Sequence, residues 1–143
     1  MTDYISATLN VEAPFYDVDS IGLVWHGNYV KYLEDARCNL MGKIGYSYQE
    51  MQETGHIWPI VHLKIKYMRP VKLSQKILIT ASLIEYENCL KIRYLIRDAA
   101  DGHQVAKAET MQMAIDLQTS ETCFFSPQTL LDRVHTYKAN EHA

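Results

Sequence analysis

The chain has 143 residues, of which 48% are hydrophobic and 22% charged, with a formal net charge of −3. This is the size and composition of one ordinary globular domain, and it excludes a disordered, collagen-like or disulfide-stapled chain. The slightly acidic balance disfavours a general nucleic-acid binder, so an anionic ligand would have to meet a local cluster of cations.

No run of apolar residues reaches the length that spans a bilayer. Met1–Tyr4 carries no basic segment leading into an apolar stretch, so no signal peptide is expected. Cys38, Cys89 and Cys123 are odd in number and form no C-x-x-C pair. They read as reduced thiols, and the expectation is a cytoplasmic protein with neither a membrane span nor a nucleic-acid partner. No repeat, low-complexity tract or linker divides the chain, which is expected to form one domain over 1–143.

A first strand is predicted over 5–13, closed by Pro14. Residues 17–28 carry aspartates, Gly22 and Gly27 and read as a loop. From Asn28 to Lys43 the period changes. Tyr29, Leu33, Ala36, Leu40 and Ile44 recur at helical spacing, with Val30 and Met41 widening the apolar band. A second, short helical stretch is predicted over Ser47–Glu53. Strands are then predicted over 57–68, 75–86, 89–98 and 103–117. In 75–86 one face carries Ile77, Ile79, Ala81 and Leu83. In 89–98, Leu90, Ile92, Tyr94 and Ile96 face one way, and Lys91, Arg93 and Arg97 the other. Such alternation marks antiparallel strands with one buried face. The last strand is predicted to present Val105, Met111, Met113, Ile115 and Leu117 in one register. Glu87-Asn88 and Asp101-Gly102 are the turns. Ser126-Pro127 reads as a helix start, with the helix running through Val134 and a frayed polar tail after His135. The economical packing is an α+β arrangement, a curved antiparallel sheet closing around one long helix. Its open edge and outer face are surfaces on which a second subunit can pair.

Chemistry concentrates between Asp17 and Tyr29. A carboxylate, Asp19, lies in a glycine-containing loop just before a helix start. A helix N-terminus leaves backbone N–H groups unpaired at the positive end of the dipole, where an oxyanion can be held. A carboxylate beside it can act as base or nucleophile. Read from spacing alone, Asp17 and Asp19 are better explained as turn residues, with Asn28 or Asp19 as a helix cap.

The segment Phe15–Arg37, FYDVDSIGLVWHGNYVKYLEDAR, resembles the 4-hydroxybenzoyl-CoA thioesterase family of hotdog-fold acyl-CoA thioesterases. The pattern D-x-D-x-x-G-x-V-x-(H/Y)-x-x-Y falls on Asp17, Asp19, Gly22, Val24, His26 and Tyr29, and an E-x-A-R helix segment on Glu34, Ala36 and Arg37. The likeness extends over residues 3–118, leaving 119–143 as a C-terminal extension. It implies a five-stranded antiparallel sheet wrapped around a long central helix, and a homodimer or homotetramer with its sites at the dimer interface. It further implies acyl-CoA thioester hydrolysis, an acyl carrier protein thioester being the other form of substrate; the six scattered histidines form no H-x-x-x-H pair, and neither a metal nor a cofactor is expected. Asp19 matches the catalytic carboxylate. His26 matches the residue whose backbone N–H polarises the thioester carbonyl, and Gly22 the glycine that permits the turn. Trp25 and Tyr29 are expected to line the site. Asp17 is the rival carboxylate and Glu34, on the long helix, a backup.

Lys64, Lys66 and Arg69, with Lys72 and the cations of 89–98, are candidates for the phosphates of CoA. Cys38 reads as a buried small hydrophobe rather than a nucleophile. Two other activities remain compatible with the sequence. One is a hotdog hydratase or dehydratase, which would use the His26 ring. The other is a non-catalytic acyl-thioester binding module.

Overall fold

A computed structural model describes residues 4–141. In chain order the elements are β1 (Ile5–Glu12), two 3-10 turns (Phe15–Asp17 and His26–Asn28), α1 (Tyr29–Lys43), α2 (Tyr48–Glu53), β2 (His56–Ile57), β3 (Ile60–Tyr67), β4 (Lys76–Glu85), β5 (Leu90–Asp98), β6 (Gln104–Gln112), β7 (Ile115–Asp116) and α3 (Gln128–Glu141). Five strands form one antiparallel sheet in the order β1-β4-β5-β6-β3, and β2 pairs with β7 in a separate ribbon. The long helix α1 lies against β1 and β4 on the concave side. This is the α+β arrangement that the periodicity predicts, a sheet around one long helix, with the five strands that the resemblance of the loop motif implies.

The register explains the layering. Ile77, Ile79, Ala81 and Leu83 of β4 and Leu90, Ile92, Tyr94 and Ile96 of β5 are buried against the helix. From α1 they meet Tyr29, Tyr32, Leu33, Ala36, Leu40, Met41 and Ile44, one face of a helix at i, i+3, i+4 spacing. Val30, expected in that band, is 44% exposed, because it projects from the opposite side of the first turn. Arg37 lies in the buried face but is satisfied there. Its Nε donates to the Tyr48 hydroxyl at 2.7 Å, and its guanidinium pairs with Glu34 one turn back.

The structure corrects three strand and helix boundaries. The predicted strand 57–68 is two elements, β2 and β3, separated at Trp58-Pro59. The predicted strand 103–117 breaks at Met113-Ala114, where the chain leaves the large sheet to pair as β7 with β2. Its inward register is also the opposite one: Ala106, Ala108, Thr110 and Gln112 face the helix, while Met111 faces outward and Leu117 is 45% exposed. The inward polar groups are hydrogen-bonded, Thr110 Oγ1 to the Tyr94 hydroxyl at 2.8 Å and Gln112 Nε2 to the Trp58 carbonyl at 2.7 Å. A buried polar pair disguised as surface pattern is what reverses the reading. Val105 is buried too, because a bulge between Ile96 and Arg97 shifts the pairing beside it.

The C-terminal helix starts as expected but runs on to Glu141 rather than fraying after His135. Leu130 and Val134 are fully buried. Arg133 reaches the Gly45 carbonyl and the Glu50 carboxylate, both at 3.1 Å, and Lys138 donates to the Tyr86 hydroxyl at 3.0 Å. The Ser126 hydroxyl makes no cap and has no partner among the described residues.

Leu40→Ala, in the centre of the α1–sheet contact, should lower unfolding free energy by about 2–5 kcal/mol in urea titration. Val30→Ala, on the exposed side of the same helix, should change it by no more than about 0.5 kcal/mol. Equal effects would contradict the packing described.

Candidate active site

The loop before α1 is held by Asp17. Its carboxylate is buried, accepting from Lys31 Nζ at 2.5 Å and from the Tyr32 hydroxyl at 2.7 Å. Its carbonyl accepts from Trp25 N–H at 3.0 Å and from Asn28 Nδ2 at 2.8 Å. One residue therefore ties the start of the loop to its end and to the first turns of the helix. Burial alone would push the Asp17 carboxyl up, but the hydrogen bonds from Lys31 and Tyr32 and the Lys31 charge outweigh it and hold the group below its ordinary value. With its oxygens committed in this way, Asp17 is an anchor, and the rival role for it is not supported by its surroundings.

Between Asp17 and Trp25 the chain doubles back. Asp19 N–H donates to the Leu23 carbonyl at 2.7 Å and Gly22 N–H to the Asp19 carbonyl at 3.0 Å, with Val18 bridged to Val24. The reversal puts Gly22 at φ +82°, a conformation that glycine adopts without strain. The loop is also pinned to the segment after β3, by Val24 N–H to the Val71 carbonyl at 2.7 Å and Leu73 N–H to the Gly22 carbonyl at 3.1 Å. Asp19 Oδ1 accepts from Ile21 N–H at 3.0 Å and Leu23 N–H at 3.2 Å. Its Oδ2 accepts no hydrogen bond among the described residues. The carboxylate is thus oriented by one oxygen and open at the other.

The helix start faces the same space. Trp25 is extended at φ −63°, ψ 135°, and the 3-10 turn His26–Asn28 runs directly into α1. The Trp25 carbonyl accepts from Asn28 N–H at 2.9 Å. The His26 and Gly27 N–H groups, first in the helical run, have no acceptor among the described residues. A β-carbon on Gly27 would stand 2.1 Å from Cζ3 of the Trp25 indole, so only glycine allows the ring to lie across this turn. The Tyr67 hydroxyl, from the end of β3, donates to the His26 carbonyl at 2.8 Å. Tyr29 is buried with its ring edge-on to Tyr67, the centroids 4.8 Å apart.

Asp19, Trp25, His26, Tyr29, Tyr67 and Arg69 together line an open cleft of about 360 Å³. Of the residues singled out from sequence, Asp19, His26, Trp25, Tyr29 and Arg69 are brought to this cleft, and Gly22 shapes the loop beneath it. Lys64 and Lys66 are not. They alternate with Ile65 and Tyr67 and so face the other side of the sheet, in a groove of about 620 Å³ shared with Arg93, Lys107 and Glu109. Glu34 is ion-paired with Arg37 and lines a different groove. Cys38 is exposed rather than buried, and desolvation and the Glu34 charge push its thiol up, away from the reactive thiolate.

Sequence reading missed Gly27 and Tyr67. Tyr67 shares a strand face with Ile65, and only the β3–β6 pairing carries the end of β3 over His26.

A sequence profile described as the thioesterase-like superfamily matches residues 13–132. The Bacillus subtilis strain 168 protein YneP, which carries the name of an acyl-CoA thioesterase, is 24% identical over 110 residues, covering 76% of this chain and 79% of its own length. Among solved structures, a DHNA-CoA thioesterase from Staphylococcus aureus superimposes with a TM-score of 0.81 at 22% identity, covering 96% of this chain and 91% of that one. The Staphylococcus aureus protein SAV2348, solved in complex with CoA, gives a TM-score of 0.83 at 17% identity, covering 98% and 88%. At such identities the structural likenesses show the fold.

Asp17→Asn should cost about 1–3 kcal/mol at neutral pH, the scale of a buried hydrogen-bonded charge. Because the folded-state pKa of Asp17 is depressed, its contribution is present above the unfolded value near 3.8 and is lost as pH falls through the folded value. The stability gap between wild type and variant should therefore narrow below about pH 4 in urea titrations. A gap that persists unchanged into acid would contradict the charged anchor.

Proposed function

Because this chain belongs to the thioesterase-like superfamily, we propose that it hydrolyses acyl-CoA thioesters in the cleft between the Asp19 loop and the start of α1. The observation that carries this reading is the pairing of an oriented carboxylate, open at Oδ2, with unpaired N–H groups at a helix start in one cleft. The thioester carbonyl would lie against the His26 N–H, where the helix dipole favours negative charge. Asp19 Oδ2 then either takes a proton from a water adding to the carbonyl carbon, or attacks that carbon to give a mixed anhydride that water opens. On both routes the C–S bond breaks, the CoA thiolate leaves and is protonated, and a free acid remains. His26 acts through its backbone, with its ring at the cleft wall. Trp25 and Tyr29 supply apolar surface for the acyl end, and Arg69, half-exposed and 3.5 Å from the Asp101 carboxylate, is the cation at the cleft that would meet a CoA phosphate. Lys64 and Lys66 could serve only a ligand that reaches around to the other face of the sheet.

The narrower reading, membership of the 4-hydroxybenzoyl-CoA thioesterase family, is supported by the D-x-D-x-x-G motif on Asp17, Asp19 and Gly22. We read residues 1–143 as one domain, since α3 lays Leu130 and Val134 into the same core. Among the described residues, no helix is long and apolar enough to cross a membrane.

A homo-oligomer is proposed as well. Among the described residues β3 pairs with β6 along one edge only, and it exposes Ile60, Val61 and Leu63 by 41%, 51% and 41%. An unpaired apolar edge of this kind is a template for a second copy. Leu63→Lys should shift the protein to a lower mass in sedimentation; an unchanged mass would contradict assembly through β3.

Asp19→Asn should lower kcat by about 10²–10⁴-fold on a hydrolysed acyl-CoA while leaving thermal unfolding nearly unchanged. Turnover close to that of the wild type would remove Asp19 from the reaction.

A further inference from the structure

Two successive peptide planes open the helical run, and each is clamped by its carbonyl. The plane between Trp25 and His26 is held by Asn28 N–H on the Trp25 carbonyl at 2.9 Å. That bond fixes where the His26 N–H points. The plane between His26 and Gly27 has two donors on its carbonyl, the Tyr29 N–H from within the helical run and, from outside it, the Tyr67 hydroxyl at 2.8 Å. In a trans peptide the N–H points opposite to the C=O. A donor seated on the His26 carbonyl therefore sets the direction of the Gly27 N–H.

Tyr67 is placed for this by its packing. Its ring meets Tyr29 edge-on at 4.8 Å and His26 at 6.4 Å, both near perpendicular, so the phenol has a fixed bearing on the turn. It is 46% exposed and lines the cleft, yet the reaction above gives it no task. Gly27, on the far side of the same peptide, has the Trp25 indole lying on it, and a β-carbon there would displace that ring. Its N–H has no acceptor among the described residues.

We propose that Tyr67 is a positioning residue: by holding the His26–Gly27 peptide it makes the Gly27 N–H a second donor to the oxyanion, beside the His26 N–H. This rests on the thioesterase reading. Its physical basis is that oxyanion donors accelerate reaction when their orientation is fixed before charge develops. Loss of a whole donor costs about 10²–10³-fold in kcat, so loosening one should cost about 10-fold. The effect belongs to the transition state, and substrate affinity should stay nearly constant.

The test is steady-state thiol release, on the acyl-CoA that the wild type hydrolyses fastest in a panel, for Tyr67→Phe and Asp19→Asn side by side. The expected result for Tyr67→Phe is kcat lower by about 10-fold with KM within about twofold. Wild-type kcat, or a change in KM alone, would overturn the positioning role while leaving the thioesterase reading intact if Asp19→Asn is impaired. An Asp19→Asn protein as active as the wild type would overturn that reading and this inference with it. A second variant guards against misfolding of the first. A trifluorotyrosine at position 67, whose phenol ionises near neutral pH, keeps the ring and loses the donated proton within the assay range. Its kcat should fall as pH rises through that ionisation, where the wild type does not follow; a matching pH profile would overturn the proposal.

Discussion

The buried Asp17 carboxylate is the constraint on which the site depends. A charged group taken out of water is costly unless its lone pairs are met. Here they are met by Lys31 and Tyr32, both on the first turns of α1, while the backbone carbonyl of the same residue receives Trp25 and Asn28. The loop can therefore close only one way onto the helix start. Asp19 follows two residues later on the exposed side of the same reversal, and Trp25 and His26 are delivered at its end. An acidic pair two residues apart thus divides its labour by environment: the first is buried and structural, the second exposed and open at one oxygen. Residue type alone does not make this distinction, since both are aspartates in a loop.

The fold supplies the second half of the arrangement. The chain belongs to the thioesterase-like superfamily, and its sheet brings the end of β3 across the start of α1, so that Tyr67 closes on His26. The proposed catalytic cleft is thereby assembled from a loop, a helix terminus and the edge strand. The edge strand has an apolar face and, among the described residues, no partner on one side, and in the proposed oligomer the surface that orders β3 would also steady the residue that steadies the helix start. The two cationic regions are separated by the same sheet. Arg69 lies past the strand end and turns toward the cleft, while the alternation along β3 sends Lys64 and Lys66 to the opposite face.

Much of this was legible in the sequence. The strict alternation in 75–86 and 89–98 and the helical spacing from Tyr29 to Ile44 gave the layers, because one-sided burial imposes those periods. The loop motif pointed to Asp19 and His26 through resemblance, and the structure brings both to one cleft. Other features depended on tertiary partners. The inward face of β6 carries Thr110 and Gln112, whose partners Tyr94 and Trp58 are distant in sequence. The tail after His135 reads as polar, yet Arg133 and Lys138 find acceptors on α2 and Tyr86 that hold the helix to its end. Gly27 was legible only as a loop glycine, and Tyr67 left no local signature, since its significance lies in a contact between β3 and a turn 41 residues away.

The central claim is that an oriented Asp19 carboxylate and a helix start with free donors make this cleft hydrolytic. Thiol release from a panel of acyl-CoAs, followed together with the free acid, tests it most directly. Saturable release of CoA thiol with one equivalent of acid is the predicted result. Saturable binding of acyl-CoA with no thiol released would contradict it, leaving a fold that holds the thioester without cleaving it.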